Sequence, residues 1–455
     1  MRGKIHGNLV NVDFYGKLYM IFGDFLYVCR LKRKIMNNVN TMKYRLIGMS
    51  FLQFAVWGAY LISMGTWLFS AGMGDKIGYF YAMQGVVALF MPALMGIVAD
   101  RWIPAQELLA ACHLLSALFK AGMGYVVISS LHVADDYPTL LLLYALSVAF
   151  FMPTLALSNS VSYTALESVK LDPVKSFPPI RVFGTVGFIC SMIVTDVLGF
   201  QASANQFFLS AALGIIASGY ALTLPSCPVM NRHQGKSLME ALGLNAFALF
   251  KQRKMALFFV FSVLLGVALQ ITNGFANPFL NSFAQIPEYA ETFGVKHANV
   301  LISLSQLSET LCLLLIPFVL KRFGIKQVML IAMMCWVLRF ALFGLGNPGD
   351  GVWMFILSMI VYGVAFDFFN ISGSLFVNQE TDMSIRSSAQ GLFMMMTNGF
   401  GATIGTVLAQ QVVNHYVDFS SQVPQVDGWS KAWFVFAGYM LVVMILFGVL
   451  FKDKK

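Results

Sequence analysis

Twelve mostly apolar stretches follow one another along this chain, each close to the roughly 20 residues that a helix needs to cross a bilayer. They fall at roughly 45–70, 78–99, 105–130, 138–163, 179–200 and 204–225 in the first half, and at 255–283, 297–319, 327–346, 352–377, 388–413 and 430–451 in the second. Hydrocarbon offers no water, so every backbone N–H and C=O must bond within the protein, and a helix does this along its own length. The sequence therefore predicts an all-α polytopic membrane protein of twelve transmembrane helices. Composition agrees: 58% of residues are hydrophobic and only 11% are charged, where a soluble domain carries about 25% charged residues. Its 38 glycines suit helices that pack closely in lipid.

The formal charge of +9 does not indicate nucleic acid, because of where the charges lie. With both termini placed in the cytoplasm, 24 of the 30 Lys and Arg residues fall on that side and only Lys76, Lys296 and Lys431 on the other. This is the bias that orients membrane proteins. Lys120, Arg181 and Arg339 fall within the spans or at their ends. None of the six cysteines forms a CxxC pair or a His/Cys ligand cluster, so they read as reduced and structural, with no metal site.

The longest polar stretch between spans, 226–254, lies at the midpoint and reads as a cytoplasmic linker, with a short surface helix around 237–250. It divides a bundle at 42–225 from one at 255–455. The two halves show faint parallel similarity. Gly-Ile-Val-Ala-Asp-Arg-Trp from Gly96 and Pro-Phe-Val-Leu-Lys-Arg-Phe-Gly from Pro317 bring Arg to equivalent loops, and Ile180-Arg181 has a counterpart in Ile385-Arg386. Such parallel repeats are related by an axis along the membrane normal. Residues 1–41 stand apart: an aromatic stretch too short to span and a basic cluster, 30–34, with no cleavage site after it. They read as an extension ahead of a native start at Met42; the competing reading is an interfacial anchor on anionic lipid.

Polar residues within the spans carry the functional signal, since a charge at mid-bilayer costs roughly 2.5–3.5 kcal/mol and marks a cavity or a partner. In span 5, Arg181, Thr185 and Phe188 recur at i, i+4 and i+7 and share a helix face. That face could bind a polar ring compound; alternatively Arg181 sits at the helix end and snorkels to phosphate. In span 7, Gln270 and Asn273 can offer two amides to one cavity or glue two helices. In span 8, Gln306 and Glu309 have the same spacing. A carboxyl group among apolar neighbours favours its neutral form, so Glu309 is a candidate proton carrier, or else the structural partner of Lys120 or Arg339. In span 10, Tyr362 and Phe366 are placed to stack on a flat ligand. Asp367 lies about 140° around the helix from Tyr362 and is expected to face a neighbouring helix. No HExxH, Walker loop or GxSxG is present, which disfavours an enzyme or an ATP-driven pump.

These segments resemble the nucleoside:proton symporters of the major facilitator superfamily over nearly all of 42–451. The resemblance rests on Met-Ser-Phe-Leu-Gln-Phe at 49–54, Gly-Ile-Val-Ala-Asp-Arg-Trp at 96–102, Phe-Pro-Pro-Ile-Arg at 177–181 and Leu-Gln-Ile-Thr-Asn at 269–273. It continues in Ser-Met-Ile-Val-Tyr-Gly at 358–363, Phe-Asp-Phe-Phe-Asn-Ile-Ser-Gly-Ser at 366–374 and Met-Met-Thr-Asn-Gly-Phe-Gly at 395–401. The chain departs from that pattern in its N-terminal extension and in Trp102-Ile103-Pro104, where the superfamily loop motif continues with Gly and basic residues. The resemblance implies proton-driven nucleoside import by alternating access, without a cofactor, by a monomer in a bacterial inner membrane. It carries the substrate role onto Arg181, Thr185, Phe188, Gln270, Asn273, Gln306, Glu309, Tyr362 and Phe366, and an acid onto Asp367. A sugar or other polar metabolite on the same fold, and a receptor that binds without flux, are the alternatives.

Overall fold

The computed structural model describes residues 39–227, 244–382, 385–419, 421 and 423–452. The expected extension lies almost wholly outside these, although a helix already begins at Val39, ahead of Met42. Most of the expected linker also lies outside, including the first part of the helix expected at 237–250; the described part includes a 3₁₀ helix, Leu244–Lys251. No strand occurs among the described residues.

Eleven of the twelve predicted spans are helices long and apolar enough to cross a bilayer. The exception is span 1, which is divided into Val39–Gly58 and Met64–Ser70. Its break is tolerated because neighbouring helices bond the carbonyls it frees. Ser210 donates to the Val56 carbonyl at 2.6 Å, Thr195 to that of Ala59 at 2.9 Å, and the Tyr81 hydroxyl to that of Leu61. Span 2 is divided too, into Ile77–Ala88 and Met91–Arg101, and restarts with Pro92 in its first turn, where a missing N–H does no harm. Spans 3 to 6 are Ala105–Ser129, Tyr137–Ser168, Pro173–Val197 and Asn205–Thr223. Spans 7 to 10 are Arg253–Ser282, Ala298–Phe323, Ile325–Leu345 and Val352–Glu380. Span 11 runs from Arg386 to Tyr416 through a π-helical stretch, Met395–Gly401, and span 12 is Val426–Leu450. Along span 8, Leu307, Leu311, Leu314 and Phe318 form an exposed apolar stripe, a surface suited to lipid.

The helices pair in a pattern that repeats. Span 1 packs on 5 and 6, span 3 on 4 and 6, and span 2 on 4; correspondingly, span 7 packs on 11 and 12, span 9 on 10 and 12, and span 8 on 10. The halves meet through spans 2 and 11, 5 and 8, and 1 and 7. Each pairing has its partner six spans on, so the parallel repeat faintly visible in the loops is carried by the whole bundle.

Hydrogen bonds between the halves, among the described residues, all lie at the end opposite the chain termini. Asn277 of span 7 bonds Gln201 at 3.2 Å and accepts from Thr66, and Gln410 of span 11 accepts from the Gly78 N–H at 2.5 Å. Asp196, closing span 5, meets His297 at 2.7 Å and accepts the Val300 N–H at 3.1 Å. It thus caps the first turn of span 8, satisfying a donor that the helix itself cannot.

Close approach elsewhere depends on glycine. A Cβ on Gly187 would lie 2.2 Å from the Phe51 carbonyl oxygen of span 1, whereas one on Gly96 would meet nothing within 4 Å. Gly187→Val should lower the thermal midpoint of the detergent-purified protein by at least about 3 °C through overpacking. Gly96→Ala should leave it within about 1 °C in the same scan, as an open helical site allows.

Candidate functional site

Span 5 begins at Pro173, so Pro178 and Pro179 lie inside the helix and Arg181 is not at its end. The guanidinium lies over Phe54 of span 1, with Cζ 3.7 Å from the ring centroid, a cation–π contact. Gly184, one turn on, leaves room: its Cβ would come within 2.8 Å of the Arg181 Nη1. Arg181 and Glu309 of span 8 act on each other electrostatically across the halves. Among the described residues they form no ion pair within 4 Å.

Glu309 is also within electrostatic reach of Tyr362 and Asp367, both on span 10. Asp367 is buried, within electrostatic reach of Glu309 and Cys312 of span 8. Its Oδ2 is buried without a hydrogen-bond partner. Tyr362 and Phe366 stack nearly parallel, 5.7 Å apart at 3°, with Trp336 edge-on to Tyr362 at 5.9 Å. The Tyr362 hydroxyl lies close to the Gln306 side chain.

Arg339 is buried, yet it has no acidic partner among the described residues. Its guanidinium lies 4.6 Å over the Tyr362 ring, and Nη1 donates to the Ser358 carbonyl at 2.6 Å and to Ser305 at 3.4 Å. It therefore ties spans 8, 9 and 10 together behind the Tyr362 ring. Neither Arg339 nor Lys120 is the partner of Glu309, which removes that structural alternative.

Among the described interactions none joins the remaining predicted residues to Glu309. Gln270 and Asn273 do share a face, with the Asn273 amide donating to Gln270 Oε1 at 3.5 Å. Phe188 is buried edge-on against Trp57 at 6.4 Å, and Thr185 is half-buried one turn before it. Phe366 also lines a cleft with Leu265, Leu269, Trp336, Phe369, Asn370, Thr397 and Asn398.

A second polar cluster, in the first half, was not assembled from the sequence. Lys120 is fully buried with Nζ 4.3 Å over Tyr60 and 4.8 Å over Phe151. Beside it, His113 Nε2 donates to Gln53 Oε1 at 2.9 Å, the amide oxygen fixing that tautomer, and Gln53 donates to Thr154 at 2.7 Å. This cluster echoes the other half. Lys120 of span 3 lies over a span 4 ring, as Arg339 of span 9 lies over one from span 10. Ser147 donates to the Ser116 carbonyl and Ser358 to that of Arg339, both at 3.1 Å. The charge of Lys120 in an apolar run was the available signal; the rings beneath it come from distant spans.

Two pseudo-equivalent six-helix halves, with a guanidinium and a carboxylate opposed across them at mid-span, define a multi-pass membrane transporter of the major facilitator fold. Comparison with known proteins narrows the class. The model of one family, described as Nucleoside H+ symporter, matches residues 40–455. The chain is 47% identical over 411 residues to the xanthosine permease of Escherichia coli (strain K12), covering 90% of this chain and 95% of that one. It is 46% identical over 418 residues to the nucleoside permease NupG of the same organism, covering 91% and 96%. A crystal structure of nucleoside transporter NupG superposes with a TM-score of 0.81 at 45% identity, over 91% of this chain and all of that one. A bacterial homologue of the lysosomal transporter Spinster shares the fold alone, with a TM-score of 0.66 at 13% identity. This chain belongs to the nucleoside H+ symporter family; it is a transporter and not an enzyme.

Arg339→Met would strip the Ser358 carbonyl of a charged donor, a loss of about 1.5–3 kcal/mol, and release the Tyr362 ring. The expected result is a lower thermal midpoint together with weaker nucleoside binding, read by titration calorimetry on the same preparation. Unchanged binding by a destabilised variant would show that Tyr362 holds its position without the guanidinium.

Proposed function

We propose that this chain imports nucleosides together with protons across a bacterial inner membrane, with both termini in the cytoplasm and one chain as the working unit. The bundles at 42–225 and 255–455 would be the moving bodies, joined by the linker at 226–254. The observation that carries this reading is the convergence on Glu309 of Arg181 from the first half and of Tyr362 and Asp367 from the second.

The chemistry follows from that convergence. An ionised Glu309 attracts Arg181 and draws spans 5 and 8 together. A proton taken up there removes the attraction and leaves the guanidinium free to bond a substrate oxygen. Asp367, close enough to repel an ionised Glu309, makes it unfavourable for both acids to be charged at once. A single proton shared between the two acids is then the transported one.

Substrate recognition uses the surrounding groups. Phe188, Tyr362 and Phe366 offer aromatic faces for the base, while Arg181, Thr185, Gln270, Asn273 and Gln306 supply donors and acceptors for ribose hydroxyls and base edges. With the termini inside, the hydrogen bonds joining the halves close the outer side, so the conformation is inward-facing. This is the state from which nucleoside and proton leave for the cytoplasm.

The purified chain in proteoliposomes should accumulate uridine or adenosine when an inward proton gradient is imposed, and stop when an ionophore collapses it. Glu309→Gln should retain counterflow exchange of nucleoside but lose gradient-driven accumulation. Full accumulation by that variant would remove Glu309 from the proton path, and no accumulation by the unaltered chain would sink the import reading.

A further inference from the structure

Amides inside a membrane protein are usually spent on bonds between helices, and most of those described here are. Gln53 bonds Thr154, Gln84 bonds Tyr144, Asn277 bonds Asn299 and Gln201, and Gln410 bonds the backbone of Gly74 and Gly78. Besides Gln270 and Asn273, which bond only each other along span 7, two further half-buried amides depart from this. Asn370 of span 10 donates only to the Phe366 carbonyl of its own helix, at 3.0 Å. Asn398 of span 11 reaches only the Met394 sulfur of its own helix, at 4.0 Å, too long to satisfy an amide. Both line the cleft that contains Phe366.

A second observation concerns the backbone that presents Asn398. It sits in the π-helical stretch of span 11, a rare winding frequently found at functional sites. That stretch packs closely on span 7. A Cβ on Gly266 of span 7 would lie 2.2 Å from the Thr397 carbonyl oxygen, and one on Gly401 2.6 Å from that of Val263. Span 7 therefore seats the π turn through Thr397, and the next residue, Asn398, is turned into the cleft beside Phe366.

We propose that Asn370 and Asn398 form a base-edge subsite that sets which nucleobases the transporter prefers. This rests on the nucleoside site proposed above. A base stacked on Phe366 brings its edge to amides that each offer an unspent acceptor and at least one unspent N–H, a set able to pair with ring nitrogens, carbonyls or exocyclic amines. The absence of a charged side chain from the cleft lining suits a neutral base. The ribose, which carries the hydroxyls, is left to the amides and acid of spans 7 and 8.

The test is competition for labelled uridine uptake in proteoliposomes, with two panels of competitors. One panel holds ribose constant and varies the base (adenosine, purine riboside, inosine, cytidine); the other holds uracil constant and varies the sugar. In Asn370→Ala and Asn398→Ala, the spread of apparent affinities across bases should contract by about tenfold, as expected when a hydrogen-bonding discriminator is lost, while the ranking of sugars stays as it was. Asn398→Gln keeps the amide on a longer arm and guards against a misfolded alanine variant; it should re-rank the bases. An unchanged base ranking in folded variants, or an equal shift of both panels, would overturn the subsite. Failure of the unaltered chain to take up any nucleoside would instead overturn the function on which it rests.

Discussion

Within a bilayer a polar atom has only the protein to bond, and this constraint governs the structure from backbone to site. Where span 1 breaks, the carbonyls it releases are taken up by Ser210, Thr195 and Tyr81 from three other spans. The break is therefore a built feature, held from three directions. The same requirement explains why Gln53, Gln84 and Gln410 are each bonded across helices. Among the described residues, groups that escape the rule occur in both halves: the Tyr60 hydroxyl, His113 Nδ1 and Lys120 Nζ in the first, and Asp367 Oδ2 in the second.

Lys120 and Arg339 show how far the two halves have diverged from a common plan. Each is a buried cation on the third helix of its half, lying over a ring on the fourth. In the second half that ring is Tyr362, which belongs to the candidate site; in the first it is Phe151, which lies against Trp57 and leads by one more contact to Phe188. A buried cation without a carboxylate is poorly solvated, and aromatic faces return only part of what water would supply. Both cations thus stiffen the walls behind the candidate site, from opposite sides and by the same means.

Much of this was legible in the sequence because length and apolarity decide a membrane span with little tertiary help. The twelve stretches, the charge bias and the shared faces of Gln270 with Asn273 and of Tyr362 with Phe366 all follow from local spacing. What stayed hidden depends on contacts between distant segments. Nothing local announces that span 1 breaks after Gly58, because the compensating hydroxyls lie up to 154 residues away. Prolines at 178 and 179 suggested a helix start, yet the helix begins five residues earlier at Pro173 and absorbs them. The π turn at Met395–Gly401 is set by the fit of Gly266 and Gly401, which no periodicity records. Lys120 was visible as a charge, but its rings were not.

The ties that join the halves at one rim have a kinetic implication. They are mostly neutral side-chain amides and hydroxyls, with a single carboxylate, Asp196, seated on the start of span 8. Neutral hydrogen bonds of this sort contribute only about 0.5–1.5 kcal/mol each once the competing interactions are counted. A seam of many small fasteners can be undone one after another, so the barrier to reopening is divided into low steps instead of rising as one. A rocking machine sealed in this way can shut tightly against leakage and still turn over quickly.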